Sequence, residues 1–287
     1  MAQLMKILVT GATGNVGREV IAALPHAAAR VVAAVRDVDR ARAMLGDDLA
    51  YVRFDFADPA SYAAALEGVD ALFLVRPPAI ADVKGVVAPF IAAAVAAGVG
   101  QIVFLSLLGA ERIPVVPHAA IERAIVASGV SHTFLRASFF MQNLSTTHRD
   151  EIREADILFV PAGDGRTSFI DVRDIAAVAA RSLLDRAAGG RAHALTGAAA
   201  LTYGEVAELL SAALGRPIRY TRPSLAAFLL RHIGLGEPLA YALVLAAIYT
   251  SARLGQAGEV TDDLPRLLGR QPIDMRQFIA DNRQCWA

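Results

Sequence analysis

The chain has 287 residues and one cysteine, Cys285, so it can form one large α/β domain with a smaller lobe and a core without disulfides, as a reducing compartment requires. Lys plus Arg and Asp plus Glu each number 28. This balance removes the net positive field on which direct nucleic-acid binding or attachment to an acidic membrane relies.

The first apolar run, KILVT, turns at once into GATGNVG, which places Gly11, Gly14 and Gly17 at a strand-to-helix junction. Gly11 lets the backbone reverse, Gly14 lets a pyrophosphate approach the main chain, and Gly17 lets the helix lie close to the sheet. The N–H groups and aligned peptide dipoles that open the helix favour an anion there. The spacing is G-x-x-G-x-x-G, not the commoner G-x-G-x-x-G, so context decides. That context is a βαβ unit: a helix through VGREVIAAL ends near Pro25, and the strand RVVAAVR follows. Where a carboxylate would hold the ribose of NAD stands Arg36, whose guanidinium can grip a 2′-phosphate in a fork, favouring NADP(H) over NAD(H). Asp37 follows and can also face the ribose. Arg40 and Arg42 read as exposed helix residues.

Strand candidates recur at MKILV, RVVAAV, AYVRF, ALFLV, QIVFL and HTFLR, with helical or alanine-rich segments between them. This alternation predicts a Rossmann-type doubly wound parallel sheet that binds its ligand across the carboxyl ends of the strands. After Arg136 come a strand-like FVPAGDGRTSFIDV, a helix over 172–184, and AHALT returning to the sheet. TYGEVAELLSAALG then reads as a helix with Thr202 as N-cap, Glu205 as capping-box partner and an end near Gly215. LAYALVLAAIYT is too short to span a bilayer and reads as a buried or cleft-lining helix, and the N-terminal run is too short for a signal peptide. The expected division is a dinucleotide-binding domain over 1–150, joined by later sheet segments, and a helix-rich substrate lobe over 151–287. A soluble, cytoplasmic protein is expected, and no oligomeric state is specified.

The order GATGNVGREV, AAVRD, FDFADPASYAAALEGVDALFLV, SLLGA, HAAIERAIVASGVSHTFLRASFFMQNL, FIDVRDIAAVAA and LTYGEVAELLSAALGRPIRY resembles the NmrA-like branch of the atypical short-chain dehydrogenases across nearly the whole chain. Within it the chain looks most like the NADPH-dependent quinone reductases and triphenylmethane-dye reductases, and less like the fungal nitrogen-regulating redox sensors. The resemblance implies that Gly11, Thr13, Gly14, Asn15 and Val16 surround the pyrophosphate and that Arg36 holds the 2′-phosphate. It sets Asp55 and Phe56 beside adenine, Val75, Arg76 and Pro77 along the cofactor, and Ser106 and Leu107 near the nicotinamide ribose. Phe139, Phe140 and Asn143 fall where the family's chain crosses the nicotinamide and lines the substrate cleft. Structural alternatives stand beside these roles: Val75 as core, Phe139 and Phe140 as packing aromatics, Asp55 as a turn cap.

Most short-chain dehydrogenases use a Tyr-x-x-x-Lys pair to protonate an alkoxide. The only lysines here are Lys6 and Lys84, and neither lies four places after a tyrosine. Near the expected position stands His118, with Glu122 one helical turn later, a pattern shared with the family's quinone and dye reductases. His118 can position the nicotinamide or substrate or relay a proton near neutral pH, or it can be a polar residue at a helix start with Glu122 pairing locally. Quinones, triaryl cations, azo groups and iminium ions accept hydride with little help from a dedicated acid, so a small hydrophobic or aromatic substrate is expected. Phe228, Leu229, Leu230, Tyr241 and Leu245 would suit such an acceptor or simply form core. The alternatives are a non-catalytic NADP(H) redox sensor and a pathway-specific ketone or imine reductase or isomerase. His26, His132, His148, His193 and His232 show no metal-ligand spacing, and Asp171 and Asp174 read as helix-capping residues rather than an acid–base pair.

Overall fold

A computed structural model describes residues 4–25, 27–185 and 189–287, and His26 lies outside the described residues. In chain order the first elements are β1 (Met5–Val9), α1 (Asn15–Ala23), β2 (Ala29–Val35), α2 (Val38–Leu45), β3 (Ala50–Arg53), α3 (Tyr62–Leu66), β4 (Ala71–Leu74), α4 (Ala88–Ala96), β5 (Gln101–Leu107), α5 (Pro117–Ala127) and β6 (Ser131–Ala137). They are followed by β7 (Phe139–Phe140), α6 (Arg149–Ala155), β8 (Ile157–Leu158), β9 (Thr167–Ile170), α7 (Val172–Leu184), β10 (Arg191–Leu195), β11 (Ala200–Leu201), α8 (Tyr203–Leu214) and β12 (Arg219–Tyr220). The last helices are α9 (Leu225–Gly234), α10 (Leu239–Arg253), α11 (Asp263–Leu268) and α12 (Met275–Asp281).

Seven strands form a wholly parallel sheet in the order β10-β6-β5-β4-β1-β2-β3. Parallel strands are covered on both faces, which is why they read as continuous apolar runs. Alternate residues Leu8, Leu72, Leu74, Ile102, Phe104 and Phe134 share one core with residues of α3, α4 and α5. On that side Phe54, Phe56, Tyr62 and Phe90 form an aromatic cluster with centroids 4.6–5.9 Å apart. Helices α1 and α7 pack on each other, and α7 also packs on β4, β5 and β6.

The chain divides into two units, Met1–Ala137 with Val172–Leu195, and Ser138–Asp171 with Thr196–Ala287. The division differs from the expected cut at residue 150 because strand pairing, not chain order, sets it. After β6 the chain leaves the first unit at Ser138, and it returns to supply α7 and the edge strand β10.

The second unit holds two small sheets, β11-β9-β7 and β12-β8, around a core that includes Leu158, Phe169, Tyr203, Phe228, Tyr249, Phe278 and Trp286. Helix α8 starts with the Thr202–Glu205 capping box and ends on Gly215 in the left-handed region, at φ 71°. The strand-like FVPAGDGRTSFIDV contains a strand only at β9. Pro161 offers no backbone donor, Gly163 turns at φ +56°, and a Cβ on Gly165 would lie 2.0 Å from the Ala252 carbonyl, so the intervening segment loops. Helix α10, expected to be buried or to line a cleft, is buried on one side only: its small residues Ala242, Ala246 and Ala252 and Tyr249 face inward, while Leu239, Leu243 and Val244 are at least half exposed. Phe228 is core, whereas Leu230 and Tyr241 are exposed. Among the described residues no helix is long and apolar enough to cross a membrane.

Trp286 is fully buried, meets Phe278 edge-on at 6.2 Å and donates its indole N–H to the Leu144 carbonyl at 3.0 Å. Trp286→Ala removes both the packing and the donor. It is expected to cost about 3–5 kcal/mol, measured by urea unfolding followed by near-ultraviolet circular dichroism.

Candidate functional site

Because the seven strands run one way, the segments after β1 to β5 emerge at one edge of the sheet. The strand order reverses at β1 and β4, the position at which such sheets take ligands. From β3 to β5 the edge presents Asp55 and Phe56, Arg36, Gly11 to Val16, Val75 to Pro77, and Ser106 with Leu107. Four strand spacings give about 19 Å, room for two nucleotides end to end.

The first loop is shaped by glycine. Gly11 has φ +63°, and a Cβ there would stand 3.1 Å from that of Val75 across the reversal point. Gly14 donates to the Gly11 carbonyl at 2.9 Å and caps α1 without a side-chain hydrogen bond. The opening amides of α1 therefore lack a side-chain cap. A Cβ on Gly17 would lie 2.2 Å from the Gly11 carbonyl oxygen, so the approach of α1 requires glycine. Thr10, absent from the sequence-derived set, locks the two loops together. Its Oγ1 accepts from the Val75 N–H at 2.7 Å and donates to the Phe73 carbonyl at 3.1 Å. Thr13 is exposed, Asn15 half-buried and Val16 buried.

Arg36 follows β2, is exposed and makes no side-chain hydrogen bond or ion pair among the described residues. Its neighbour Asp37 caps α2 by accepting from the Arg40 N–H at 3.0 Å. Arg42 turns to Asp47 at 3.4 Å and lies over the Tyr51 ring. Asp55 accepts from the Ala57 N–H at 2.9 Å, the turn-cap geometry, and the Phe56 ring is buried in the aromatic cluster.

Beyond β4, Arg76 folds back on its own loop, donating to the carbonyls of Pro77, Pro78 and Ile80 at 2.7–3.0 Å. His118, in the first turn of α5, stacks on Phe104 with centroids 6.0 Å apart. Burial first, and then the Arg76 guanidinium, push its pKa down to about 4, against an opposing pull from Glu122. The imidazole is therefore neutral near pH 7.

Glu122 does not hydrogen-bond His118. Its Oε1 accepts from Ser106 Oγ at 2.6 Å and Arg136 Nε at 3.0 Å, and its Oε2 accepts from the second arm of Arg136 at 2.7 Å. Glu111 meets the third guanidinium nitrogen at 3.1 Å. Ser106 and Arg136 are register partners on β5 and β6, in phase with Phe104 and Phe134, and so face α5. That alternation was the available signal for Arg136, which the sequence reading left unassigned.

Phe139, Phe140 and Asn143 belong to the second unit. Both phenylalanines are half-buried, paired in register with Phe169 and Ile170 of β9, and the Asn143 carbonyl accepts from the His148 N–H at 2.9 Å. A cleft of about 440 Å³ opens in this unit among Met141, Phe169, Leu201, Leu209 and Met275, with Glu208 and Arg276 also lining it. His148 is a satisfied core residue, held by Glu151 at 2.8 Å and Tyr249 at 2.7 Å. Asp171 and Asp174 are fully buried, and Asp171 accepts from Gln142 at 2.9 Å.

An NAD(P)H azoreductase of Xenophilus azovorans is 34% identical over 281 residues, covering 95% of this chain and 96% of that protein. The crystal structure of an NADPH-dependent quinone oxidoreductase of Escherichia coli complexed with NADPH superposes with TM-score 0.83 at 27% identity, covering 96% of this chain and 99% of that one. Triphenylmethane reductase of Citrobacter sp., complexed with NADP(H), gives TM-score 0.82 at 26% identity over 99% of this chain and 100% of that one. The NmrA-like family model matches residues 3–263, and with that match over most of its length the chain belongs to the NmrA-like family.

Proposed function

We propose that the protein is an NADPH-dependent reductase that delivers hydride to a quinone-like or other conjugated aromatic acceptor. The observation that carries this reading is the sheet edge itself. A helix start without a side-chain cap lies beside the strand reversal, and Arg36, unpaired among the described residues, stands one strand away. The residues fit the coenzyme: Gly11, Thr13, Gly14, Asn15 and Val16 form the pyrophosphate cradle, and Arg36 takes the 2′-phosphate. Asp37 caps α2 through one carboxylate oxygen, so the preference for NADP(H) over NAD(H) rests on Arg36. Val75, Arg76 and Pro77 run along the coenzyme beyond the switch point, with Ser106 and Leu107 at its nicotinamide end. Asp55 and the main chain at Phe56 flank the adenine end. Phe139, Phe140 and Asn143 are assigned to acceptor binding.

The bound dihydronicotinamide supplies the hydride. The chain's part is placement, exclusion of water, and a neutral His118 that holds the coenzyme or acceptor by hydrogen bonding. With no Tyr-x-x-x-Lys pair in the sequence, the reading selects acceptors whose reduced form is stabilised by conjugation. The relatives' names, azoreductase, quinone oxidoreductase and triphenylmethane reductase, describe such acceptors. Purified protein is expected to oxidise NADPH in the presence of members of a quinone, azo and triarylmethane panel. Tight NADPH binding without turnover of any panel member would defeat the reductase reading and favour a redox sensor.

His118→Asn is expected to lower kcat/KM about tenfold or more with a smaller effect on coenzyme affinity, as read from steady-state kinetics and calorimetry. The lowered pKa also fixes a sign. Between pH 6.5 and about 4 the unfolded chain binds a proton at this residue that the folded chain does not, so stability falls as pH drops through that window. His118→Asn should flatten the slope, as measured by denaturant midpoints across it.

A further inference from the structure

Glu122 stands one helical turn from His118, where a carboxylate and an imidazole would be expected to pair. Yet both carboxylate oxygens are taken. Arg136 reaches them with a two-pronged fork at 3.0 and 2.7 Å, and the Ser106 hydroxyl adds a third donor at 2.6 Å. Glu122 is 6% exposed and Ser106 4% exposed, so water does not compete. Forked guanidinium–carboxylate pairs are the strong class of charge-assisted hydrogen bond. Glu111 holds the remaining prong of Arg136, which fixes the fork's orientation.

The groups around His118 complete the picture. Phe104 on β5 offers only a ring face, the loop after β4 offers the Arg76 guanidinium, and α5 itself offers Glu122. The Arg76 guanidinium thus opposes charge on the imidazole, and the Glu122 carboxylate, which favours it, is held by Arg136 and Ser106. The start of α5 adds the positive end of the helix dipole, which further disfavours an imidazolium.

We propose that Arg136 is a positioning residue for the candidate site, whose fork engages both oxygens of the Glu122 carboxylate and so keeps it from forming a histidine–carboxylate dyad with His118. Its relevance to hydride transfer rests on the reductase reading given above. The partition of charge itself is a property of the ligand-free chain.

The test is the titration of the His118 ring by proton–carbon NMR in the full-length protein without coenzyme, with the signal assigned through His118→Asn. In Arg136→Gln the released carboxylate should raise the midpoint by about one unit or more, and Arg136→Lys, which keeps the charge but not the fork, should give a smaller rise. The double variant Arg136→Gln/Glu122→Gln should return the midpoint toward the wild-type value, a reversal that general loosening would not produce. An unmoved midpoint in folded Arg136→Gln, or a rise that persists in the double variant, overturns the proposal. Should Arg136→Gln fail to fold, Glu122→Gln alone decides. A compensated carboxylate predicts a fall of less than about half a unit, and a larger fall shows that Glu122 already acts on His118 unshielded. Loss of coenzyme binding or turnover in any variant bears on the reductase reading and leaves this measurement intact.

Discussion

Arg36→Ala is expected to lower NADPH affinity about a hundredfold while changing NADH affinity less than about threefold. The arithmetic is that of a fork: two charge-assisted hydrogen bonds to a phosphate, each worth about 1.5 kcal/mol, amount to about two decades in Kd. The side chain makes no other hydrogen bond or ion pair among the described residues, so its removal should leave folding untouched. Calorimetric titration with both coenzymes reads the result directly. Equal losses for the two would remove Arg36 from the 2′-phosphate.

Gly17→Ala is the second large effect. Its methyl group would sit 2.2 Å from the Gly11 carbonyl oxygen and 2.7 Å from the carbonyl carbon, and both belong to backbone that cannot rotate aside. Either α1 lifts from the sheet or the Gly11 turn unwinds. In both cases the amides of α1 lose their aim at the strand reversal. A loss of about 3 kcal/mol in stability is expected, at the upper end of the range for overpacked sites, together with coenzyme binding too weak for calorimetry. Gly14→Ala is the graded comparison. Its methyl would stand 3.2 Å from the same oxygen, so it should fold and bind more weakly.

How much of this could be read in advance varies with the length scale of the signal. The six strands before Arg136 were legible because a doubly covered parallel sheet demands unbroken apolar runs, and each run here is bounded by a turn. The start and end of α8 were legible for a local reason, since Thr202, Glu205 and Gly215 carry their geometry in three side chains. The FVPAGDG segment was legible only in part: Pro161 and the glycines are local strand breakers among apolar residues, whereas the close approach of Gly165 to Ala252 is set far along the chain. The same holds at the candidate site. Glycine loops announce themselves, whereas Thr10 reaching Val75, and Arg136 reaching Glu122 and Glu111, are encounters that strand order creates. An i, i+4 pair such as His118 and Glu122 invites a dyad on helical spacing alone. The competing arginine lies on a neighbouring strand, where its phase with Phe134 gives the face it points to but not the partner it meets.

The interrupted path of the first unit bears on biosynthesis. Strand β6 borders β5 on one side and waits for β10 on the other, so until residue 195 has emerged from the ribosome the growing sheet keeps an open edge after β6, and before α7 emerges its face over β4, β5 and β6 is bare. Open edges of this kind recruit other chains. A nascent polypeptide stalled near residue 150 should therefore be prone to aggregation and a good client for holdase chaperones, and emergence of residues 172–195 should remove the part of that tendency that comes from the first unit's open edge and bare face.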